Sequence, residues 1–180
     1  GNDGSISLEN LKKCINNDLA NNYGNLCQRV FAFLKKNCNN KIPKKEALAE
    51  SDIKLIKNIK INIPKLIDYI NKQNLNEYIK TVVDFSFDAN KYFNDSEPWA
   101  FKKKDPKRMN SILYTIVEQI KNISILLNPI IPISTKKVLN AINIADKDIL
   151  IENIKQDDTL DCVSELKNLD ILFKKIENDN

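Results

Sequence analysis

Apolar residues recur at threes and fours along nearly the whole chain, and the alternating, glycine-punctuated runs of a sheet are scarce. Leu8, Leu11, Ile15, Leu19, Leu26, Val30, Phe33 and Leu34 form the stripe of one long amphipathic helix ending before Lys41-Ile42-Pro43. Gly24 lies inside it; a mid-helix glycine costs about 1 kcal/mol relative to alanine, so it either admits a close approach or marks a bend. A second helical stretch is predicted from about Lys45 to Asn71, with Pro64 expected to break or kink it. A third runs from Asn74 to Phe93 and stops at the turn-former cluster Asn94-Asp95-Ser96-Glu97-Pro98, which leaves Trp99 in a loop. The fourth has Asp105 as N-cap and Pro106 at its first position, and Asn128-Pro129 ends it. A shorter fifth starts at Ser134 and carries Val138, Leu139 and Ile142. Beyond about Asn143 the pattern becomes irregular, with short apolar runs at Ile149-Leu150-Ile151 and Ile171-Leu172-Phe173. The expected fold is all-α: a bundle of about five helices with an irregular C-terminal tail packed across it.

Composition narrows the chemistry. With 180 residues, 42% apolar and 29% charged, the chain has enough side chains for one sizeable core. No apolar run approaches the roughly 18–20 residues of a membrane span, so we expect a soluble, cytoplasmic protein without a membrane partner. Histidine is absent, which removes imidazole bases, Ser-His-Asp and Cys-His nucleophile systems, and His-containing zinc sites. Cys14, Cys27, Cys38 and Cys162 include no C-x-x-C pair and read as reduced, mostly buried thiols. Glycine is absent beyond position 24, so Gly-rich phosphate loops are excluded. No metal site and no nucleotide cofactor is therefore expected in this stretch, and most hydrolase chemistry is removed. The loop-like opening Gly1-Asn2-Asp3-Gly4-Ser5 without an initiator methionine suggests that the sequence starts inside a longer protein.

Charge is uneven. Residues 143–180 hold ten acidic side chains against five lysines, a net of −5, so the total of +4 leaves +9 for residues 1–142. Lys102, Lys103, Lys104, Lys107 and Arg108 crowd the segment after Trp99, the single tryptophan. A solvated face is the plain reading, all the more because Lys, Asn and Ile are abundant as in AT-rich genomes; contact with nucleic acid is the other.

Two further features carry candidate chemistry. Asn25 and Arg29 lie four residues apart on the first helix, so their side chains project from one face. An amide with a donor and an acceptor, beside a rigid fork of donors, suits the exposed edges of unpaired bases. On these residues alone the plainer reading is a helix-packing asparagine and an arginine paired with an acidic neighbour. Trp99 is either a plug at the end of the bundle or a stacking platform, stiffened by Pro98, on which a splayed base gains roughly 1–3 kcal/mol.

The segment Asp18-Leu19-Ala20-Asn21-Asn22-Tyr23-Gly24-Asn25-Leu26-Cys27-Gln28-Arg29 resembles the D-L-A-N-x-x-G-N-L-x-Q-R motif that opens the anticodon-binding domain of bacterial methionyl-tRNA synthetases. Lys36-Asn37-Cys38 through Lys41-Ile42-Pro43 is similar to the K-N-C-x-x-K-[VI]-P that follows. Ala89-Asn90-Lys91-Tyr92, Glu97-Pro98-Trp99, Lys103, Asp105-Pro106 and Arg108-Met109 resemble A-N-x-Y…x-P-W-x-x-x-K-x-D-P-x-R-M, and Leu126 to Pro132 resembles L-L-x-P-x-x-P. The ends agree too: Gly1-x-Asp3-Gly4-x-x-Ser7 looks like the connection from the family's catalytic core, and Leu172-Phe173-x-x-Ile176-Glu177 looks like its L-F-P-R-I-E tail, with Lys174 and Lys175 departing from Pro-Arg. Residues 44–88 and 140–170 match little.

The resemblance implies an organisation: 1–7 as the end of the connection from the core, 8–142 as the helical anticodon-binding domain, and 143–180 as a C-terminal extension. It implies that Asn25, Arg29 and Trp99, with Pro98 positioning the last, read the CAU anticodon of tRNA(Met), Trp99 stacking on the first-position cytosine. Lys103 and Arg108 are weaker candidates, for RNA backbone contacts or for structural roles. The partners implied are the tRNA(Met) anticodon stem-loop and the catalytic domain of the same polypeptide. That class I core would attach methionine with ATP; its His-Ile-Gly-His and Lys-Met-Ser-Lys-Ser signatures are not in this sequence, so the chain alone is expected to be inactive. The competing expectation is a helical protein-interaction or unspecific RNA-binding bundle in which Trp99 is the plug.

Overall fold

The computed structural model describes residues 9–10, 13 and 15–167. Leu8, Leu11, Cys14, the opening seven residues and the Leu172-Phe173 run lie outside them. A π-helical stretch, Ile15–Gly24, leads into α1 (Asn25–Asn37), followed by α2 (Glu50–Asn71), α3 (Leu75–Ser96), α4 (Pro98–Lys104), α5 (Pro106–Leu127) and α6 (Pro132–Ala141). Two 3-10 turns, Asp146–Asp148 and Ile151–Lys155, follow. No strand occurs among the described residues, and no helix there is long and apolar enough to cross a membrane.

The helical bundle is as expected, with instructive differences. The first helix is two: wide π turns give way to α1 at Gly24, whose φ of −62° and ψ of −47° are ordinary helical values. Gly24 therefore serves no positive φ; it is buried where this stretch packs on α3, beside the Asn22 carbonyl that accepts a 2.9 Å hydrogen bond from Asn90 Nδ2. Pro64 interrupts nothing, because α2 runs unbroken past it. Its missing N–H forfeits one ladder bond on an exposed face, and burial of Ile59, Ile63 and Leu66 holds the helix on both sides. The third helix continues one turn beyond Phe93 to Ser96.

Helix α5 is the axis of the molecule. Every residue from Ser111 to Leu127 is buried, polar ones included, because α1, α2, α3, α4 and α6 all pack around it. Its start is as the sequence predicts: Asp105 accepts from the Arg108 N–H at 3.1 Å, and Pro106 fills the first position. Some of the polar residues that the wrapping buries find partners, whereas neither side-chain amide atom of Asn122 has one. Tyr23 O–H and Ser124 Oγ lie 2.6 Å apart, and the Lys121 ammonium reaches Glu118 at 2.7 Å and Thr159 Oγ at 2.6 Å.

Thr159 belongs to the tail, which closes over the bundle. Ile154, Leu160 and Leu166 are buried against it, the Leu166 N–H donates to the Asn40 carbonyl at 2.8 Å, and the Lys167 N–H donates to the Ala141 carbonyl at 2.9 Å. Acidic Asp157 and Asp158 pair with Lys60 and Lys45, so part of the tail's negative charge is spent on the bundle's lysines. Among the described cysteines Cys27 is buried, Cys38 and Cys162 are half-buried, and all three are free thiols. Burial pushes the Cys27 thiol up to about 12, which makes it inert.

One carboxylate ties three helices together. Asp52, 0% exposed near the start of α2, accepts from Arg108 Nη1 at 2.5 Å and Nη2 at 2.9 Å, from the Tyr92 hydroxyl at 2.7 Å, and from the Ala49 N–H at 2.9 Å. Burial alone would raise its pKa, but these donors and the guanidinium charge outweigh it and hold the carboxyl below its ordinary value. A carboxyl with a depressed pKa in the fold stabilises above the unfolded value of about 4, and that contribution is lost as pH falls through the folded value. Asp52→Ala leaves a guanidinium without its partner and should cost about 3–5 kcal/mol in urea unfolding at neutral pH. The variant should also show a shallower loss of stability below about pH 4 than the parent chain.

Candidate nucleic-acid interface

Trp99 stands on a short helix rather than in a loop. Ser96 is the last residue of α3, Glu97 takes a left-handed conformation (φ 43°, ψ 58°), and Pro98 restarts the chain as the first residue of α4. A residue before proline is disfavoured in the right-handed helical region, which explains why the break falls at Glu97. Pro98 is buried and anchors the turn, while Trp99 is 47% exposed. A plug would be covered; this indole is half in water.

Asn25 and Arg29 are both exposed on α1, one turn apart as the spacing requires. The structure links Arg29 and Trp99 through Phe93, a core residue of α3. The Arg29 guanidinium carbon sits 5.1 Å from the centre of the Phe93 ring, and its Nη2 donates to Asn94 Oδ1 at 2.6 Å. Phe93 in turn meets Trp99 edge-to-face, with centroids 5.9 Å apart and planes at 81°. In a T-shaped pair at most one indole face touches the partner ring. The other face is not used by Phe93.

The basic segment divides. Arg108 is committed to Asp52, the structural one of the two roles considered for it, and the carboxylate raises its pKa further. Lys103, Lys104 and Lys107 are exposed. Lys102 donates to Asn37 Oδ1 at 2.8 Å and so bridges α4 to the end of α1. Burial raises the neighbouring Cys38 thiol to about 11, against the opposing charge of Lys102. Phe93 and Asn94 were missed because one looked like a position in an apolar stripe and the other like a turn former. Neither carries a chemical signature until Arg29 is placed beside it.

The family model described as the anticodon binding domain of methionyl tRNA ligase matches residues 42–180. The chain belongs to this family. Methionine–tRNA ligase of Rickettsia felis is 31% identical over 182 residues, covering 99% of this chain and 36% of that protein. The Brucella suis methionine–tRNA ligase is 35% identical over 148 residues, 82% of this chain and 29% of its own length. The apo crystal structure of Mycobacterium tuberculosis methionyl-tRNA synthetase superposes with a TM-score of 0.80 at 25% identity, over 89% of this chain and 33% of that one. The chain thus spans about a third of the length of the relatives it matches. In this anticodon-binding domain Trp99 lies within the matched family region, whereas Asn25 and Arg29 precede it and fall in the stretch aligned with the Rickettsia protein.

The half-exposed indole makes a distinction in stability. Trp99→Ala should lose no more than about 2 kcal/mol in urea unfolding, the worth of partial burial and one aromatic pair. Phe93→Ala, emptying a site that is 2% exposed, should lose about 3–5 kcal/mol in the same assay. Equal losses would mean that Trp99 is a plug after all.

Proposed function

We propose that this domain reads the CAU anticodon of tRNA(Met), with Trp99 stacking on the first-position cytosine and Asn25 and Arg29 hydrogen-bonding base edges. The observation that carries the reading is the link from Arg29 on α1 through the Phe93 ring to a half-exposed indole on α4, with Asn25 exposed one helical turn before Arg29. Single-stranded bases are recognised by aromatic stacking combined with hydrogen bonds to their edges, and this surface offers both. Exposed Lys103, with Lys104 and Lys107, faces phosphates and supplies the salt-sensitive part of the binding.

The whole protein, on this reading, is a cytoplasmic methionine–tRNA ligase whose catalytic core uses ATP and belongs to the same polypeptide. This domain contributes specificity rather than chemistry: the binding energy of the correct anticodon aligns the acceptor end in the core, so weakening the anticodon contacts lowers turnover as well as affinity.

The test is a titration of the 180-residue chain with a CAU hairpin, followed by the fluorescence of its single tryptophan, beside a hairpin altered at the first anticodon base. CAU should quench selectively. Trp99→Ala, Arg29→Ala and Asn25→Ala should each weaken CAU binding by about 1–3 kcal/mol, roughly 5- to 150-fold in Kd, with circular dichroism unchanged. Equal affinity for both hairpins would reduce the domain to an unspecific basic RNA binder.

A further inference from the structure

Arg29 and Trp99 arrive from different helices, yet both rest on one ring. Phe93 carries the Arg29 guanidinium at 5.1 Å from its centroid and meets the Trp99 indole at 5.9 Å. The ring itself is 2% exposed, set among the core residues of α3, so it is rigid where its two visitors are not. The next residue, Asn94, holds the other end of the same guanidinium by its 2.6 Å hydrogen bond. An arginine side chain ordinarily samples many rotamers; a cation–π contact and a hydrogen bond from adjacent residues leave this one a restricted orientation. The indole is confined from its own side by buried Pro98 and the left-handed Glu97.

We infer that Phe93 and Asn94 are positioning residues that preorganise Arg29 and Trp99 as one reading unit, so that base discrimination depends on a ring that itself reaches no base. The inference rests on the anticodon-reading proposal and deepens it. Preorganisation strengthens binding by removing the ordering that would otherwise take place on contact. It also couples the two readers energetically, since moving either disturbs the ring that orients the other. A merely structural Phe93 would affect stability and would leave discrimination alone.

The experiment measures the affinity of the chain for the CAU hairpin and for the hairpin altered at its first anticodon base. It uses the parent chain, Phe93→Leu and Asn94→Ala, together with Arg29→Ala, Trp99→Ala and the Arg29→Ala/Trp99→Ala double variant, each of these three with and without Phe93→Leu. Leucine keeps the residue apolar while removing the aromatic face, and Asn94 is exposed, so its alanine variant should unfold at the parent midpoint. Phe93→Leu should lower CAU affinity about tenfold and change affinity for the altered hairpin less than about twofold. Asn94→Ala should lose about threefold in the same selective manner. The Arg29→Ala and Trp99→Ala effects should be non-additive in the parent chain and additive in the Phe93→Leu background. Should Phe93→Leu fail to fold, Asn94→Ala and the parent-chain cycle decide. Retained discrimination in a folded Phe93→Leu and in Asn94→Ala, or additivity of the two readers in the parent chain, overturns the inference while leaving anticodon reading intact. A parent chain that does not discriminate between the hairpins overturns both.

Discussion

Asp52 is a charge in a place without water, and the architecture around the candidate interface follows from satisfying it. A buried carboxylate is tolerated only when donors and an opposite charge surround it. Here the guanidinium of Arg108 supplies two bonds, Tyr92 a third and the Ala49 N–H a fourth. Tyr92 and Arg108 flank the segment 93–107, so one carboxylate pins both ends of that segment. Within it lie Phe93, Asn94, the Glu97 break, Trp99 and the lysines of α4. The segment is thereby a closed loop with fixed feet, and its short helix can present a half-exposed tryptophan without fraying.

The second constraint is α5. A helix whose residues are buried on every side cannot be recognised from a 3.6-residue stripe, because Glu118, Gln119, Lys121 and Asn122 read as a solvated face. Periodicity therefore locates α5 without showing that it is wrapped on every side. The same limit explains Pro64, where tertiary burial overrode a local breaker, and the extra turn of α3, where Asn94, Asp95 and Ser96 stay helical despite their turn propensity. A capping signal did better: Asp105 accepts from an N–H group one turn on, as its position predicts. The tail was legible as something that packs, but not where, since its register depends on backbone bonds to Asn40 and Ala141 more than a hundred and about twenty-five residues away.

Of the interface, the spacing of Asn25 and Arg29 and the peculiarity of a lone tryptophan after a proline were visible in the sequence. Their meeting was not. It depends on a phenylalanine indistinguishable from its neighbours in the α3 stripe and on an asparagine placed by an unforeseen final helical turn. Arg108 is a different case: the sequence left a phosphate contact and a structural role both open, and its side chain is bound to Asp52. Basic residues near a site are separated into contacts and supports only by what their head groups touch. The family is shown by its relatives, and the packing around Phe93 gives Arg29 and Trp99 a physical reason to act together.

The most direct test of this account is the nuclear Overhauser spectrum of the chain bound to a CAU hairpin. Contacts between the indole protons of Trp99 and the H5 and H6 protons of the first anticodon cytosine, with the Arg29 side chain near the base edges, are what the account predicts. A bound hairpin whose anticodon protons show contacts elsewhere on the bundle and none to Trp99 would contradict it.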